Sequence, residues 1–177
     1  DAIIDAYEAM VGVKDSIDAI TSALNSNNDV LLTAESLVNK LVAVDQKFAV
    51  SSGGLAEAIK RVGSTAADAG LGINELIAAI TSAQQTTARG EAVIGNALKT
   101  IFTRAARPKV LEDLESLGIT TRKASGEVLP LIDVLKALSV QYETLSSSQQ
   151  SQVSEMVGGI YQINILKALF KDLGKES

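Results

Sequence analysis

Residues 91–108 read EAVIGNALKTIFTRAARP, and their hydrophobic pattern indicates the fold class. Its apolar residues recur three and four positions apart, the spacing that places side chains on one side of an α-helix. We predict a helix over residues 91–106 that ends before Pro108, because a proline disfavours helical backbone in the residue before it. The predicted buried stripe of this helix consists of Val93, Ile94, Leu98, Ile101 and Phe102.

The same spacing recurs on both sides of this stretch, and the alternation typical of strands is almost absent. The sequence therefore predicts an all-α fold, a compact bundle of about eight short helices. The other helices are predicted at residues 1–24, 33–50, 55–69, 73–85, 109–117, 130–145 and 160–173, with one more that starts at the serines 146–148 and is interrupted at Gly158 and Gly159. The breaks are predicted at residues 25–28 and 51–54 and at Gly70, Gly118 and Gly174.

Two segments carry more specific expectations. One side of the helix over 33–50 is apolar, and its members are Leu37, Leu41, Val44 and Phe48. Residues 119–128 hold the only plausible extended structure, and either a loop or a small hairpin that turns at Ser125 and Gly126 satisfies the sequence.

The chain divides into a leading segment, residues 1–28, and a helical core domain, residues 29–177. The leading segment combines an amphipathic helix with an Asn-rich break, and its apolar stripe is Ile3, Ala6, Tyr7, Met10, Val13, Ile17 and Ile20. This stripe is typical either of a helix that binds a partner or of a helix that belongs to the domain's own core. Both interpretations remain open.

Composition excludes several classes of function. The 177 residues include no His and no Cys, which removes disulfides, thiolate chemistry and every imidazole-based triad or zinc site. The net charge is −5, from 21 acidic and 16 basic residues, which argues against wholesale coating of nucleic acid. No apolar run reaches the roughly 20 residues that cross a bilayer, and no secretory signal is expected at the start.

Two clusters of charge are candidates for function. Glu112, Asp113 and Glu115 could bind a divalent cation or supply a general acid, but a solvated helix surface explains them more simply. We predict no catalytic residue, no cofactor and no metal. The second cluster is a set of basic residues that either contacts a partner or only stabilises a helix C-terminus, and it consists of Lys99, Arg104, Arg107 and Lys109.

Four groups of residues, in order along the chain, carry a family resemblance. The first is a small-residue helix followed by an arginine and a proline: Gly95, Ala97, Leu98, Lys99, Ile101, Arg104 and Pro108. The second is Leu114, Leu117, Gly118 and Ile119, and the third is Gly126, Leu129, Pro130, Leu131, Asp133, Val134 and Leu135. The fourth is Gly158, Gly159, Tyr161, Gln162, Leu166 and Leu169.

From Asp29 onward, this order resembles the core region of tape-measure proteins, the minor tail proteins of long-tailed bacteriophages and prophages. The resemblance implies a structural virion protein that lies in the tail lumen, after assembly in the host cytoplasm. It implies roles in tail assembly, tail length and genome ejection. The implied partners are the tail tube protein, tail assembly chaperones and the tail tip or baseplate hub, while a homo-oligomer and contact with DNA stay open.

Two other classes of function compete with this one. A helical interaction or pore-forming module unrelated to tails would use residues 1–24 and 160–173 as membrane-active helices, although the acidic residues of the first helix disfavour binding to anionic lipid. A hydrolase that uses carboxylates would depend on Glu112 or Glu155.

Overall fold

The structure, a computed structural model, describes residues 34–48 and 50–174. These residues form eight α-helices and one π-helical turn, and no strand occurs among them. The elements are α1 (Ala34–Lys47), α2 (Ser52–Asp68), α3 (Ile73–Thr87), α4 (Glu91–Ala105), α5 (Pro108–Ser116), α6 (Leu131–Tyr142), α7 (Ser147–Val153), the π-helical turn (Ser154–Gly158) and α8 (Ile163–Leu173). The predicted all-α bundle is confirmed. The predicted helix over 1–24 and the domain boundary after residue 28 lie outside the described residues.

Each of the eight helices contributes apolar side chains to one continuous core. In α4 these include Ile94, Leu98, Ile101 and Phe102, none of which is more than 1% exposed. Helices of this length are marginal on their own in water, so burial of their apolar stripes against one another supplies most of their stability.

Helices α2 and α4 pack more extensively than any other pair of described elements. A Cβ added to Gly95 would lie 2.7 Å from the carbonyl oxygen of Ala58 and 2.9 Å from its Cα, so only glycine permits this approach of the two backbones. One turn earlier, Gly54 lies beside the carboxylate of Glu91. The two helices therefore run in the same direction, joined by α3 as a crossover. We call this contact the α2–α4 seam.

Side chains cap the backbone at two helix starts. Glu75, in the first turn of α3, accepts a hydrogen bond from the backbone N–H of Gly72 at 2.9 Å. Ser146 caps α7, and its backbone N–H is bound in turn by the side chain of Gln149. In both cases a side chain satisfies a backbone donor at the helix start.

The α1–α2 connection differs from the prediction. Leu37 and Leu41 are buried, but Phe48 lies beyond the end of α1 and keeps 42% of its surface exposed, so it does not continue the apolar side of that helix as predicted. The predicted break at 51–54 is also too late. Ser51 caps α2 by accepting the N–H of Gly54, which places Gly54 inside the first helical turn.

Val93 was predicted to be buried, and it is 49% exposed. Successive residues of an α-helix are about 100° apart around its axis, so Val93 lies at the edge of the stripe centred on Ile94 and Leu98. A three-and-four spacing fixes the centre of a buried stripe better than it fixes the edges.

Two further segments are more irregular than the prediction. Between α5 and α6 the chain reverses near Gly126, and its two arms meet at one antiparallel bridge between Arg122 and Val128. The hairpin is therefore a single bridge without strands. The last helix begins at Ile163 instead of residue 160, because a turn closed by the bond from the Gln162 N–H to the Gly159 carbonyl precedes it.

Candidate functional site

Arg104 joins the C-terminal end of α4 to the π-helical turn. Its guanidinium donates to the backbone carbonyls of Glu155, at 2.9 Å, and Met156, at 3.2 Å. These carbonyls lie where the helical hydrogen-bond pattern ends, and a forked cation suits two such acceptors. The next turn passes close to this guanidinium at Gly159, whose positive φ of 69° favours glycine. Arg104 therefore holds the chain reversal that leads into α8.

The other three residues of the predicted basic set are arranged differently. Lys99 and Arg107 are exposed on and just after α4. Lys109 forms an ion pair with Asp113 at 2.7 Å, and the hydrogen bond and charge of that carboxylate raise the pKa of Lys109. The structure thus uses Arg104 inside the fold and leaves Lys99 and Arg107 on the surface.

The acidic residues of α5 do not converge. Asp113 binds Lys109, whereas Glu115 accepts hydrogen bonds from Thr121 and Arg122 across the following loop. The hydrogen bond from Thr121, aided by the charge of Arg122, lowers the pKa of Glu115. Within the described part of the chain, no group of three or more acidic, histidine or cysteine side chains could hold a metal ion.

Glu75 and Lys136 form a partly buried ion pair between α3 and α6, with Nζ and Oε1 2.9 Å apart. Burial raises the pKa of the Glu75 carboxyl, but the hydrogen bonds from Lys136 and from the Gly72 backbone outweigh it, so the pKa is lowered from its ordinary value of about 4.5. Lys136 was missed by the sequence analysis. It lies 61 residues from Glu75, and no local pattern links the two.

The π-helical turn is packed on a small aromatic cluster. The Tyr142 and Phe170 rings lie 5.1 Å apart at 53°, and the Tyr142 hydroxyl shares a 2.7 Å hydrogen bond with Ser154. These contacts join α6, the π-helical turn and α8. Gly158 lies tightly against Leu166 on the same side, so the turn is fixed by packing as well as by Arg104.

The remaining motif residues have structural positions. Leu98 is fully buried in α4, Pro108 begins α5, and Pro130 precedes α6 as its N-cap. Gly118 and Gly126 occupy turns with positive φ. Leu98 thus packs in the core, and the two prolines and two glycines set helix starts and turns.

Exposed apolar surfaces occur at several places among the described residues, a groove and a tip among them. One is a groove of about 530 Å³ between α1 and α3, whose walls include Val44, Phe48 and Ile77. We call it the α1–α3 groove. The other is the tip after the π-helical turn, where Ile160 is 62% and Tyr161 is 79% exposed. The helical pattern alone predicted neither surface, because the groove depends on how α1 and α3 lie relative to each other and the tip lies in the turn before α8.

Comparison with known proteins identifies the family. No solved structure matches the chain. None of the helices in the described ranges combines the length and apolarity needed to cross a membrane. The family model described as phage-related minor tail protein matches residues 2–159, which begins within the leading segment and ends just before the Ile160–Tyr161 tip. The chain therefore belongs to the phage-related minor tail proteins, a family of structural components of the virion tail.

Proposed function

We propose that the chain is a folded segment of a tape-measure protein. In this role it takes part in tail assembly, in setting tail length and in genome ejection, and it acts through protein–protein contacts rather than catalysis. Its partners are the tail tube protein, the tail assembly chaperones and the tail tip or baseplate hub, and its place is the tail lumen. Membership of the minor tail family and the order of the four motif groups support this proposal.

The observation that carries the proposal is the way the helices fold back on one another. The longest described helix, α2, has 17 residues, and all eight contribute to one core. As a single helical rod, the chain would extend about 265 Å, at 1.5 Å per residue. A bundle cannot measure length in this way. We therefore assign the measuring to extended chain outside this segment, and we assign docking to the bundle.

Duplication of the segment within the tail protein tests this division. A second copy of residues 1–177, inserted in frame, leaves the first copy intact and should lengthen the tail by far less than about 265 Å. The control inserts an uninterrupted helix of the same number of residues, which should lengthen the tail by about that amount. Tail length is measured by electron microscopy of negatively stained particles. Equal lengthening by both inserts would show that the segment measures length.

Scattering in solution tests the shape directly. A compact domain of this length should have a radius of gyration of about 16 Å. A rod-like profile with a radius several times larger would contradict the proposal.

The exposed cations Lys99 and Arg107 are proposed to contact a partner in the tail. Charge reversal by Lys99→Glu with Arg107→Glu should lower the yield of complete tails while leaving the helical circular-dichroism signal unchanged. Lys167→Glu is the matched control, because Lys167 is an exposed cation on α8, outside the range that the family model matches. A normal yield of tails from the double variant would contradict this assignment.

A further inference from the structure

The reverse turn that precedes α8 carries two apolar side chains where polar residues are usual. It is closed by the hydrogen bond from the Gln162 N–H to the Gly159 carbonyl, so Ile160 and Tyr161 are its two central residues. Gly, Pro, Asn, Asp and Ser predominate at such positions. Here Ile160 is 62% and Tyr161 is 79% exposed, so the turn presents an apolar surface to its surroundings.

The backbone that carries the Ile160–Tyr161 tip is fixed by the fold. Arg104 donates to the carbonyls of Glu155 and Met156 just before the tip, and Gly158 packs against the buried side chain of Leu166. A contact surface that is already ordered loses little conformational freedom on binding. Tyrosine is also among the residues that most often dominate a protein interface. The tip is therefore a preorganised contact for an apolar pocket.

The α1–α3 groove is a pocket of this kind. Its walls include Val44 and Phe48 from the α1 side and Ile77 from α3, and Phe48 is 42% exposed. The volume of about 530 Å³ lies within the range of pockets that hold a ligand. Lys40 of α1 donates a 2.9 Å hydrogen bond to Asn74 at the start of α3, which ties the two walls together. The groove is thus an apolar cleft with a cation in its wall.

The charges beside the two surfaces are opposite in sign. Glu155 is exposed in the π-helical turn that leads to the tip, and Lys40 lines the groove. Neither side chain has an ion-pair partner among the described residues. Insertion of a tip into a groove places an acid and a base in one interface. Contact between two tips or between two grooves would instead bring like charges together, so the charges favour the tip-to-groove pairing.

Within one molecule the tip lies apart from the groove. Helix α8 contributes Asp172 to the groove wall, and Asp172 is nine residues beyond Ile163, about 14 Å along the helix. We propose that the Ile160–Tyr161 tip of one copy of the chain inserts into the α1–α3 groove of a second copy. Each copy then keeps one free tip or groove for the next, so the contact builds chains or rings of copies. This inference does not depend on a role in measuring tail length.

Self-association of the 177-residue chain is the first test. The tip buries little surface, so the contact belongs to the weak class, and it should appear in sedimentation equilibrium as a mean mass that rises with concentration. Ile160→Ser with Tyr161→Ser should weaken association by about tenfold or more. The matched control is Val93→Ser with Val140→Ser, because both valines are about half exposed on other helices, and it should associate like the parent.

Three results of this test would overturn the proposal. They are a constant mass in the parent at all concentrations, undiminished association of the tip variant, and an equal loss in the valine control. The four substitutions are at exposed positions, so matching circular-dichroism spectra are expected for all the proteins.

A charge swap tests whether the groove receives the tip. Lys40→Glu and Glu155→Lys should each weaken association by about twofold to fivefold, since each places like charges in the contact. The two substitutions together restore an opposite pair with exchanged roles, so the double variant should recover most of the parent's association. Lys60→Glu, at an exposed position of α2, is the control and should have no such effect. Losses that add in the double variant would contradict the pairing.

Cross-linking locates the contact, because the chain has no cysteine of its own. One protein carries Asn164→Cys, exposed beside the tip, and a second protein with a size tag carries Ser82→Cys in the groove wall. A short bismaleimide should join the two proteins. Ser64→Cys, exposed on α2, replaces Ser82→Cys in the control and should not be joined. Equal products from Ser64→Cys, or tip-dependent association without the Ser82→Cys product, would assign the tip to another surface and overturn the proposal.

Discussion

The α2–α4 seam and the α1–α3 groove are both contacts between helices, but they use opposite principles. At the seam, Gly95 brings two backbones so close that no side chain fits between them. At the groove, Phe48 and Ile77 line a space that the described residues leave open. At the seam the absence of a side chain permits close packing, whereas apolar side chains that the described residues leave partly uncovered line the groove. The same helix bundle is thus tightly packed in one place and open in another.

The largest expected difference between the two sides comes from their phenylalanines. Phe102 is 1% exposed in the core behind the seam, and Phe48 is 42% exposed at the groove. Phe102→Ala should lower the free energy of unfolding by about 3–5 kcal/mol. Phe48→Ala should lower it by less than half as much. Urea unfolding of both variants measures the two losses of unfolding free energy. Equal losses would contradict the difference in packing between the seam and the groove.

Glycine substitutions test the seam alone. Gly95→Ala should destabilise the protein by about 1–3 kcal/mol, because the new methyl group meets the Ala58 backbone, which cannot move aside as a flexible side chain would. Gly53→Ala is the control, since no atom other than its chain neighbours and its own helix backbone lies within 4 Å of its added Cβ, and it should leave stability unchanged or slightly higher. The measurement is thermal or urea unfolding. Equal effects of the two substitutions would mean that the close approach at Gly95 is not a constraint.

The hydrogen bonds that Arg104 donates at the end of α4 should contribute less to the free energy of unfolding than the α2–α4 seam. Arg104→Ala should lower the free energy of unfolding by about 1–2 kcal/mol, because it removes two hydrogen bonds to carbonyls of the π-helical turn, although Glu155 keeps its bond from the Gly159 N–H. Arg104→Lys should restore only part of this, since a single ammonium cannot match the fork. Hydrogen exchange should show the loss concentrated in residues 154–162. Arg107→Ala, in an exposed position, should stay within about 0.5 kcal/mol of the parent in stability. A loss as large as that of Arg104→Ala would mean that removal of a positive charge, and not loss of the two hydrogen bonds, lowers stability.

The smallest expected effect is at Glu75, which lies in the helix that also forms a wall of the groove. Because its pKa is lowered in the folded state, the carboxylate adds stability above its ordinary pKa of about 4.5, and this stability is lost as the pH falls through the folded value. Glu75→Gln should therefore be less stable than the parent by up to about 1 kcal/mol near neutral pH. The difference should vanish in acid. Unfolding curves from pH 7 to pH 3 measure it, and a difference that grows on acidification would contradict the assignment.

The sequence predicts the helices well because each one depends on neighbours three and four residues away. Leu98 and Ile101 are buried as expected, and Gly70 ends α2 with a positive φ of 87°. Predictions fail at the edges of stripes and beyond helix ends, as at Val93 and Phe48. Whether such a side chain is buried depends on which other helix packs next to it.

The tertiary contacts of the candidate surfaces were less accessible to sequence analysis. Gly95 belongs to a motif that the sequence displays, but its role depends on Ala58, which is distant in sequence. Arg104 was assigned to a basic contact set, yet its acceptors are carbonyls more than 50 residues away, and a carbonyl has no sequence signature. Spacing within a helix therefore predicts the elements, and it does not predict which elements meet.

The crossover arrangement of α2, α3 and α4 has a consequence for biosynthesis. The partner that covers the Gly54–Ala58 side of α2 is α4, and the whole of α3 must be translated before α4 exists. At about 5–20 residues per second, α4 leaves the ribosome a few seconds after α2. For that interval the nascent chain presents an uncovered helix side, and holding factors and aggregating neighbours compete with α4 for it.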